Sequence, residues 1–516
     1  MSSEDNNLAN NDVDGFRALH QQQWYHGLRS RADVTPLFEH KGDFLTRTCR
    51  HDDRIEVILS VCVEPAKSST PPKVVHLSLF CHPNLKTWDL AVLKKRARSQ
   101  RGGGGAAAAQ CTNRFETVSA LIAYYKSHAV LGEVKLNRGI PRPSWIIPTS
   151  FLTYHESKGF LGKGNFAKVI KGKLLMRSRS HRVTVAIKML LEDTDMSQQD
   201  RDKGRDILMQ EAKVMSRYFH KNIIEFYGVA CEKPPIMIVM EFCPGSSLEP
   251  HLRNYADDIT PGERVLFLIE AARGMRYLHH HSCIHRDLAS RNCLISKNGV
   301  IKIADFGLSK ITDKNDIGKS ETDIPQNVPL RWMAPETISR TPRYSTKSDV
   351  WAFGVLVYEV FNDGVKPWAE ADDYKMISQC IRKGKMPAPP PKSVPEIANL
   401  MTLCWNLLMD DRPEFRQIVK ILSEMQKDNP KLSKPAAKDC TTNRIQDVVR
   451  IDENESIDDI LAEKSLDITG NSMCESRESS EELLARRKSL GSNRSTSAPR
   501  VRSQYVPAGM NRDIDK

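Results

Sequence analysis

His285-Arg-Asp-Leu-Ala-Ser-Arg-Asn292, followed by Asp305-Phe-Gly307, is the stretch on which the reading of this chain turns. Asp287 is a carboxylate placed to accept a hydroxyl proton, and Asn292, five residues on, offers an amide that can ligate a metal. Asp305 adds a hard anionic oxygen of the kind that suits Mg²⁺. Upstream, Leu161-Gly-Lys-Gly-Asn-Phe-Ala-Lys-Val169 lies between two β-type runs, and a glycine-rich hairpin lets backbone amides approach phosphate oxygens. Val185-Ala-Ile-Lys188 places a lysine inside an apolar strand, where a cation is costly unless carboxylate or phosphate meets it. Glu211, 23 residues later in a helical run from Asp206 to Arg217, has the right sign to do so. Taken singly, these segments read as a turn, an exposed strand lysine and a surface glutamate. Their order within one domain points to phosphate-transfer chemistry.

Around this core the chain divides by composition. Its 516 residues suggest roughly three units at a usual domain size of about 150 residues. With 40% hydrophobic and 27% charged residues, wholesale disorder is excluded. The net charge of +12 asks for an anionic partner: phosphate, nucleic acid or an acidic lipid surface. Twelve scattered cysteines, without a C-x-x-C pair or zinc-ligand spacing, read as reduced thiols. The polar N-terminus and Ser2 argue against a secretory signal and N-myristoylation, and no apolar run is long enough to span a bilayer. Residues 1–20 are expected to be a disordered leader, 24–137 a small α+β domain, 138–153 a proline-stiffened linker, 154–427 one large mixed domain and 428–516 a disordered tail. Within the small domain, 94–110 is a basic, low-complexity insertion. Because some of the positive charge sits in such stretches, no nucleic-acid partner is expected.

The large domain resembles a eukaryotic protein kinase over nearly all of 154–427. Met333-Ala-Pro-Glu336, Asp349 and Arg412 match the family's structural positions, Arg412 pairing with Glu336. The resemblance implies a bilobal fold, β-rich above and helical below, that uses ATP and Mg²⁺. Lys188 would grip the phosphates with Glu211 behind it, Asp287 would orient the acceptor hydroxyl, and Asn292 and Asp305 would hold metal. Leu161, Gly162, Lys163, Gly164, Asn165, Phe166, Ala167, Lys168 and Val169 would cover the nucleotide. Ala186 would lie against it, Met240 would be the gatekeeper, and Glu241 to Cys243 the hinge. Ala289 and Arg291, together with Val328-Pro-Leu-Arg-Trp332, are similar to the tyrosine-kinase pattern, in which Arg291 works beside Asp287. Two positions depart from the family: Ala167 replaces a glycine, and no tyrosine occurs between Asp305 and Glu336. The switch is expected at Ser320 or Thr322, unless Glu321 and Asp323 already supply the charge near Arg286.

The small domain resembles an SH2 domain, a central antiparallel sheet flanked by two helices. Trp24-Tyr-His-Gly27, Arg31, Gly42-Asp-Phe-Leu-Thr-Arg47 and His76 carry the likeness. A guanidinium on an apolar strand is expensive to bury unless it meets a dianion, so Arg47, with Arg31 and His76, is expected to bind phosphotyrosine. Cys49 stands where the family offers a serine hydroxyl, which predicts lowered affinity. Together the two domains resemble the Fes/Fer group, in a nematode-type short form without the N-terminal membrane module; there the reader packs on the small kinase lobe. The partners implied are tyrosine-phosphorylated proteins and protein substrates, with 14-3-3 proteins at phosphorylated Ser497 in the tail. The expected protein is a cytoplasmic, non-receptor tyrosine kinase in signal transduction, recruited to the membrane periphery through its partners. The alternatives are an SH2-bearing pseudokinase scaffold and a serine/threonine or dual-specificity kinase. Retention of Lys188, Glu211, Asp287, Asn292 and Asp305 weighs against the first, and Ala289, Arg291 and Trp332 against the second.

Overall fold

A computed structural model describes residues 18–51, 54–67, 70–82, 87–90, 113–164, 167–176, 181–191, 197–311, 329–339 and 341–428. The leader up to residue 17, the 94–110 insertion, Asn165, Phe166, Ser320, Thr322 and the tail from 429, with Ser497, lie outside the described residues.

The small domain opens with a short helix, α1 (Arg31–Val34), capped by the Ser30 hydroxyl. Four antiparallel strands follow, β1 (Phe44–His51), β2 (Arg54–Glu64), β3 (Lys73–His82) and β4 (Thr87–Leu90), paired in that order. Period-2 alternation sorts their side chains onto two faces. Phe44, Val57, Leu59, Val61, Leu77 and Leu79 lie beneath helix α2 (Val118–Ser127), which contributes Val118, Leu121, Ile122 and Tyr125. Leu45 and Cys62, on the opposite face, pack against Val34, Phe38 and Ile140. Order begins earlier than expected: Leu19 is buried in the first of these clusters. The few apolar residues of this polar leader show no periodicity by which Leu19 could be recognised.

In the large domain, β5 (Leu152–Tyr154), β6 (Phe160–Lys163), β7 (Ala167–Leu175), β8 (Arg182–Leu190), β9 (Phe226–Ala230) and β10 (Met237–Glu241) form one antiparallel sheet of order β5-β7-β8-β10-β9, with β6 on β7. Helix α3 (Gln198–Met215) joins β8 to β9 and buries Leu208, Met209, Ala212 and Met215. It starts eight residues before the Asp206 expected from the sequence. The extra turns, QQDRDKGR, have no apolar stripe; their start is fixed by Ser197, whose hydroxyl accepts the Asp200 amide at 3.1 Å.

The lower half is helical. It holds α4 (Leu248–Asn254), α5 (Pro261–His280), the short strands β11 (Cys283–Ile284), β12 (Cys293–Ile295), β13 (Ile301–Ile303) and β14 (Lys310–Ile311), then α6 (Thr346–Phe361), α7 (Tyr374–Arg382), α8 (Pro395–Cys404) and α9 (Phe415–Asp428). Helix α6 is buried on nearly every face, as its almost unbroken apolar run requires.

The linker is stitched to both neighbours. The Ile140 amide donates to the Phe44 carbonyl at 2.8 Å, while Trp145 and Ile147 exchange hydrogen bonds with Val229 of β9 at 2.8 and 2.9 Å. Direct contacts also join the domains. The Leu28 amide donates to the Cys231 carbonyl at 2.7 Å, the Tyr25 hydroxyl to the Glu232 carbonyl at 3.2 Å, and Lys213 of α3 pairs with Asp33. Gly27 sits at this seam with φ of 66°, and a Cβ there would collide with the Cys231 carbonyl oxygen. Glycine is therefore required twice over, for its backbone angle and for the closeness of the second domain.

Candidate active site

Lys188 projects from near the C-terminal end of β8, and its Nζ lies 2.7 and 2.8 Å from the two carboxylate oxygens of Glu211 on α3. Asp305 Oδ1 is 3.2 Å away on the other side. Burial would push the Lys188 ammonium down; the charges of Glu211 and Asp305, and the hydrogen bonds they accept, outweigh it and hold Lys188 above its ordinary range. Glu211, only 4% exposed, is raised by burial, with Lys188 opposing. Asp305 is held low: burial works against its charge, but Lys188 prevails. Phe306, beside it, is buried against Tyr218 and His285, at ring separations of 6.2 and 5.3 Å.

Below this cluster lies the turn that follows β11. Its shape is set by Asp349 of α6, whose oxygens accept the backbone amides of His285 at 2.8 Å and Arg286 at 2.9 Å. Arg286 and Asp305 both adopt left-handed backbone, with φ of 68° and 63°, an unfavourable conformation for residues other than glycine, and Asp349 braces the first of them. Burial notwithstanding, the His279 hydrogen bond and nearby histidines keep the Asp349 carboxyl below its usual range. Asp287 is presented from this turn. It accepts hydrogen bonds from Arg291 and from Asn292 Nδ2, the latter at 2.8 Å, and burial raises its carboxyl against the opposing charge of Arg291.

The residue types fit a nucleotide with its metal. Asn292 commits its nitrogen to Asp287, so the amide offers oxygen to a cation, and Asp305, 47% exposed, has anionic oxygen within reach of solvent. Among the described residues no cluster of three or more His, Cys, Asp or Glu forms a metal cage. A Mg²⁺ that shares its ligands with phosphate oxygens needs none. Gly162 has open space where a Cβ would stand, leaving its backbone approachable. Val169, Ala186, Met240, Cys243 and Leu294 all belong to, or pack against, one apolar cluster. The Glu241 amide is spent on the Glu225 carbonyl at 2.9 Å, so Glu241 could meet a ligand only through its carbonyl.

Lys168 is turned to Glu156, and Leu161 is exposed on β6. Ala167 begins β7 with its methyl in the core, and it is absent from the positive-φ positions, so replacement of glycine there introduces no strain.

The profile of the family described as "Protein tyrosine and serine/threonine kinase" matches residues 156–422. The chain belongs to this kinase family. It is 32% identical to human Tyrosine-protein kinase Fer over 413 residues, 79% of this chain and 44% of that one. It is 29% identical to Fer-related kinase 1 of Caenorhabditis elegans over 422 residues, 81% and 97% of the two chains. It is 31% identical to Spermatocyte protein spe-8 of the same nematode over 430 residues, 82% and 74%. The chain thus spans less than half the length of the Fer relatives.

Within the kinase domain, two further tethers hold the site. Arg412 forms a buried bidentate pair with Glu336, at 2.7 and 2.9 Å. Glu359, which the sequence reading passed over, accepts the Ser290 amide and hydroxyl at 3.0 and 2.7 Å and Trp332 Nε1 at 3.1 Å. Burial pushes Glu359 up to about 6 against these donors. Arg291 lies 4.5 Å over the Trp332 ring, so the turn bearing Asp287 and the Trp332 segment are one linked unit. The signal for Glu359 was a lone carboxylate in the otherwise apolar Val355–Phe361 stretch of a buried helix.

The structure also brings Arg47, Arg31 and His76 within electrostatic reach of one another on the α1 side of the small sheet. Burial, then Arg47 and Arg31, press His76 down to about 4, and its ring meets the Ser60 hydroxyl at 2.9 Å. Burial likewise presses Arg47 below the ordinary arginine range; the Cys49 sulfur opposes this, and Arg31 adds to it.

Proposed function

We propose that this protein is an ATP-dependent protein-tyrosine kinase, and that residues 24–137 form an SH2 domain that binds phosphotyrosine on partner proteins. The observation that carries the catalytic half is the clamp of Lys188 between Glu211 and Asp305, beside Asp287 and Asn292. Phosphoryl transfer asks the protein mainly to position groups and to balance charge. In this reading Lys188 holds the nucleotide's phosphates, with Glu211 fixing its reach. Asn292 and Asp305 hold Mg²⁺, which when bound neutralises charge developing on the phosphates. Asp287 orients the acceptor hydroxyl and takes up its proton, and Arg291 keeps Asp287 in place. The stacking of Arg291 on Trp332 favours a protein tyrosine as acceptor, since it couples the catalytic turn to the segment that would receive the substrate.

For the small domain, support comes from the four-stranded sheet with a helix on each face and from a buried arginine on β1. Alignments of 413 to 430 residues also run well beyond the 156–422 stretch. The protein would work in the cytoplasm, directed to substrates by proteins already phosphorylated on tyrosine. Among the described residues no helix is long and apolar enough to cross a membrane.

Purified protein incubated with Mg-ATP and poly(Glu,Tyr) should phosphorylate tyrosine, and Asp287→Asn should slow this by about 10²–10⁴-fold. Phosphorylation indifferent to that substitution, or confined to serine, would overturn the reading.

A further inference from the structure

Arg47 is 2% exposed, and its Nη1 donates to the Arg29 carbonyl at 3.3 Å. Its Nε and Nη2, both buried, meet no oxygen or nitrogen acceptor among the described residues, although the Cys49 sulfur lies nearby. A buried guanidinium left so is costly, and it marks a place for an anion. The surroundings do not belong to the small domain alone. Arg29, whose carbonyl Arg47 touches, pairs with Asp33, and Asp33 pairs with Lys213 of helix α3 in the kinase domain. Eight residues N-terminal of Lys213, roughly 12 Å along the same helix, stands Arg205. Its side chain is 14% exposed, its Nη2 donates to Asp202 at 2.5 Å, and its buried Nε has no partner among the described residues.

Arg205 and Arg31 both act on Arg47, pressing its guanidinium further down after burial. Three guanidinium groups therefore gather where the two domains meet, and Arg31 and Arg205 add to the electrostatic cost of keeping Arg47 charged. A phosphate monoester, carrying about −1.5 to −2 charges near neutral pH, reverses the sign of that cost.

We propose that Arg205 of helix α3 completes the phosphate site of the small domain, so that one phosphotyrosine is held by guanidinium groups from both domains. The proposal rests on the phosphotyrosine reading above and adds to it a determinant that lies outside residues 24–137. Helix α3 also carries Glu211, six residues beyond Arg205. A phosphate held from both sides binds the docked arrangement more tightly than an undocked one. By reciprocity, its binding favours the docked position of the helix that pairs with Lys188.

The test is calorimetric titration of the full chain with phenyl phosphate at fixed ionic strength, every variant carrying Asp287→Asn so that the protein cannot phosphorylate itself. Arg47→Ala should abolish binding. Arg205→Ala should weaken it about tenfold, as expected for loss of one charge-assisted contact. Arg205→Lys should fall between Ala and the parent, and Arg205→Glu below Ala. If all three Arg205 variants bind like the parent while Arg47→Ala does not, the composite site is wrong and the reader assignment stands. If all three lose affinity equally, Arg205 acts through packing and the proposal is equally overturned. Full affinity in Arg47→Ala would instead remove the phosphotyrosine reading itself.

Discussion

The molecule holds two buried cations suited to phosphate, and they are kept in opposite ways. Lys188 is already neutralised by Glu211 and Asp305, so it lies in a satisfied, rigid arrangement. Arg47 has the Arg29 carbonyl and the Cys49 sulfur beside it, no carboxylate partner among the described residues, and other cations nearby. The first site is complete within the chain and is poised to exchange one set of anionic oxygens for another. The second carries an unmet charge that only an external anion can satisfy. On the proposed function, the clamp that turns over is stabilised in the resting protein, whereas the pocket that would report a signal is left destabilised until its anion arrives.

The sharpest way to break this comparison is to remove each cation and measure stability in denaturant. Lys188→Met strands Glu211 as a buried, unpaired carboxylate and should destabilise the kinase domain by about 3 kcal/mol. Arg47→Met removes an uncompensated charge and should stabilise the small domain, by about 1 kcal/mol. Two shifts of the same sign would show that the sites are not opposites.

Acid should separate the domains next. His26 is buried between the Ile140 carbonyl, at 3.0 Å, and Arg29, at 2.9 Å, and burial lowers it from 6.5 to about 4. The unfolded chain takes up a proton there that the folded chain refuses. Stability is thus full above about pH 6.5 and is lost as pH falls towards about 4, by up to about 3 kcal/mol. The contributions of Asp305 and Asp349, carboxyls held below 3.8, are intact at and above the ordinary aspartate range and are lost only at lower pH. Thermal unfolding followed between pH 7 and 4.5 should show the small domain weakening first; His26→Gln should reduce that dependence, and His76, also pressed down to about 4, should account for much of what remains.

The smallest effect concerns Glu359. Ser290→Ala removes one of its three donors and should cost about 1 kcal/mol of stability, with a modest loss of kcat as the Asp287 turn loosens from Trp332. Unchanged stability and rate would mean that the amide and indole donors alone suffice.

Much of the kinase domain was legible because its chemistry needs particular residue types at fixed separations. A lysine in an apolar strand, a carboxylate in the next helix and the Asp287, Asn292 and Asp305 series all converge on one cleft. Strands were readable from β-branched runs, but β4, four residues of mixed character, was not. The start of α3 escaped because a polar helix end held by a serine cap has no hydrophobic period. Arg205 was invisible for a related reason: an arginine on a polar helix turn reads as solvated surface until a second domain is placed against it. The pairing of Asp33 with Lys213 joins residues 180 positions apart, which no local pattern encodes.

Gly27 gives this last point a practical edge. In the sequence it belongs to a motif and reads as a turn; in space it is a spacer of no thickness between two machines. The smallest side chain placed there acts as a wedge, forcing the carbonyl of Cys231 away while every phosphate-binding and catalytic group keeps its identity. If the proposed function holds, one methyl group is thus enough to make a separation-of-function allele, in which phosphate is still bound at Arg47, without the help of Arg205, and still transferred at Asp287, but the two events no longer inform each other.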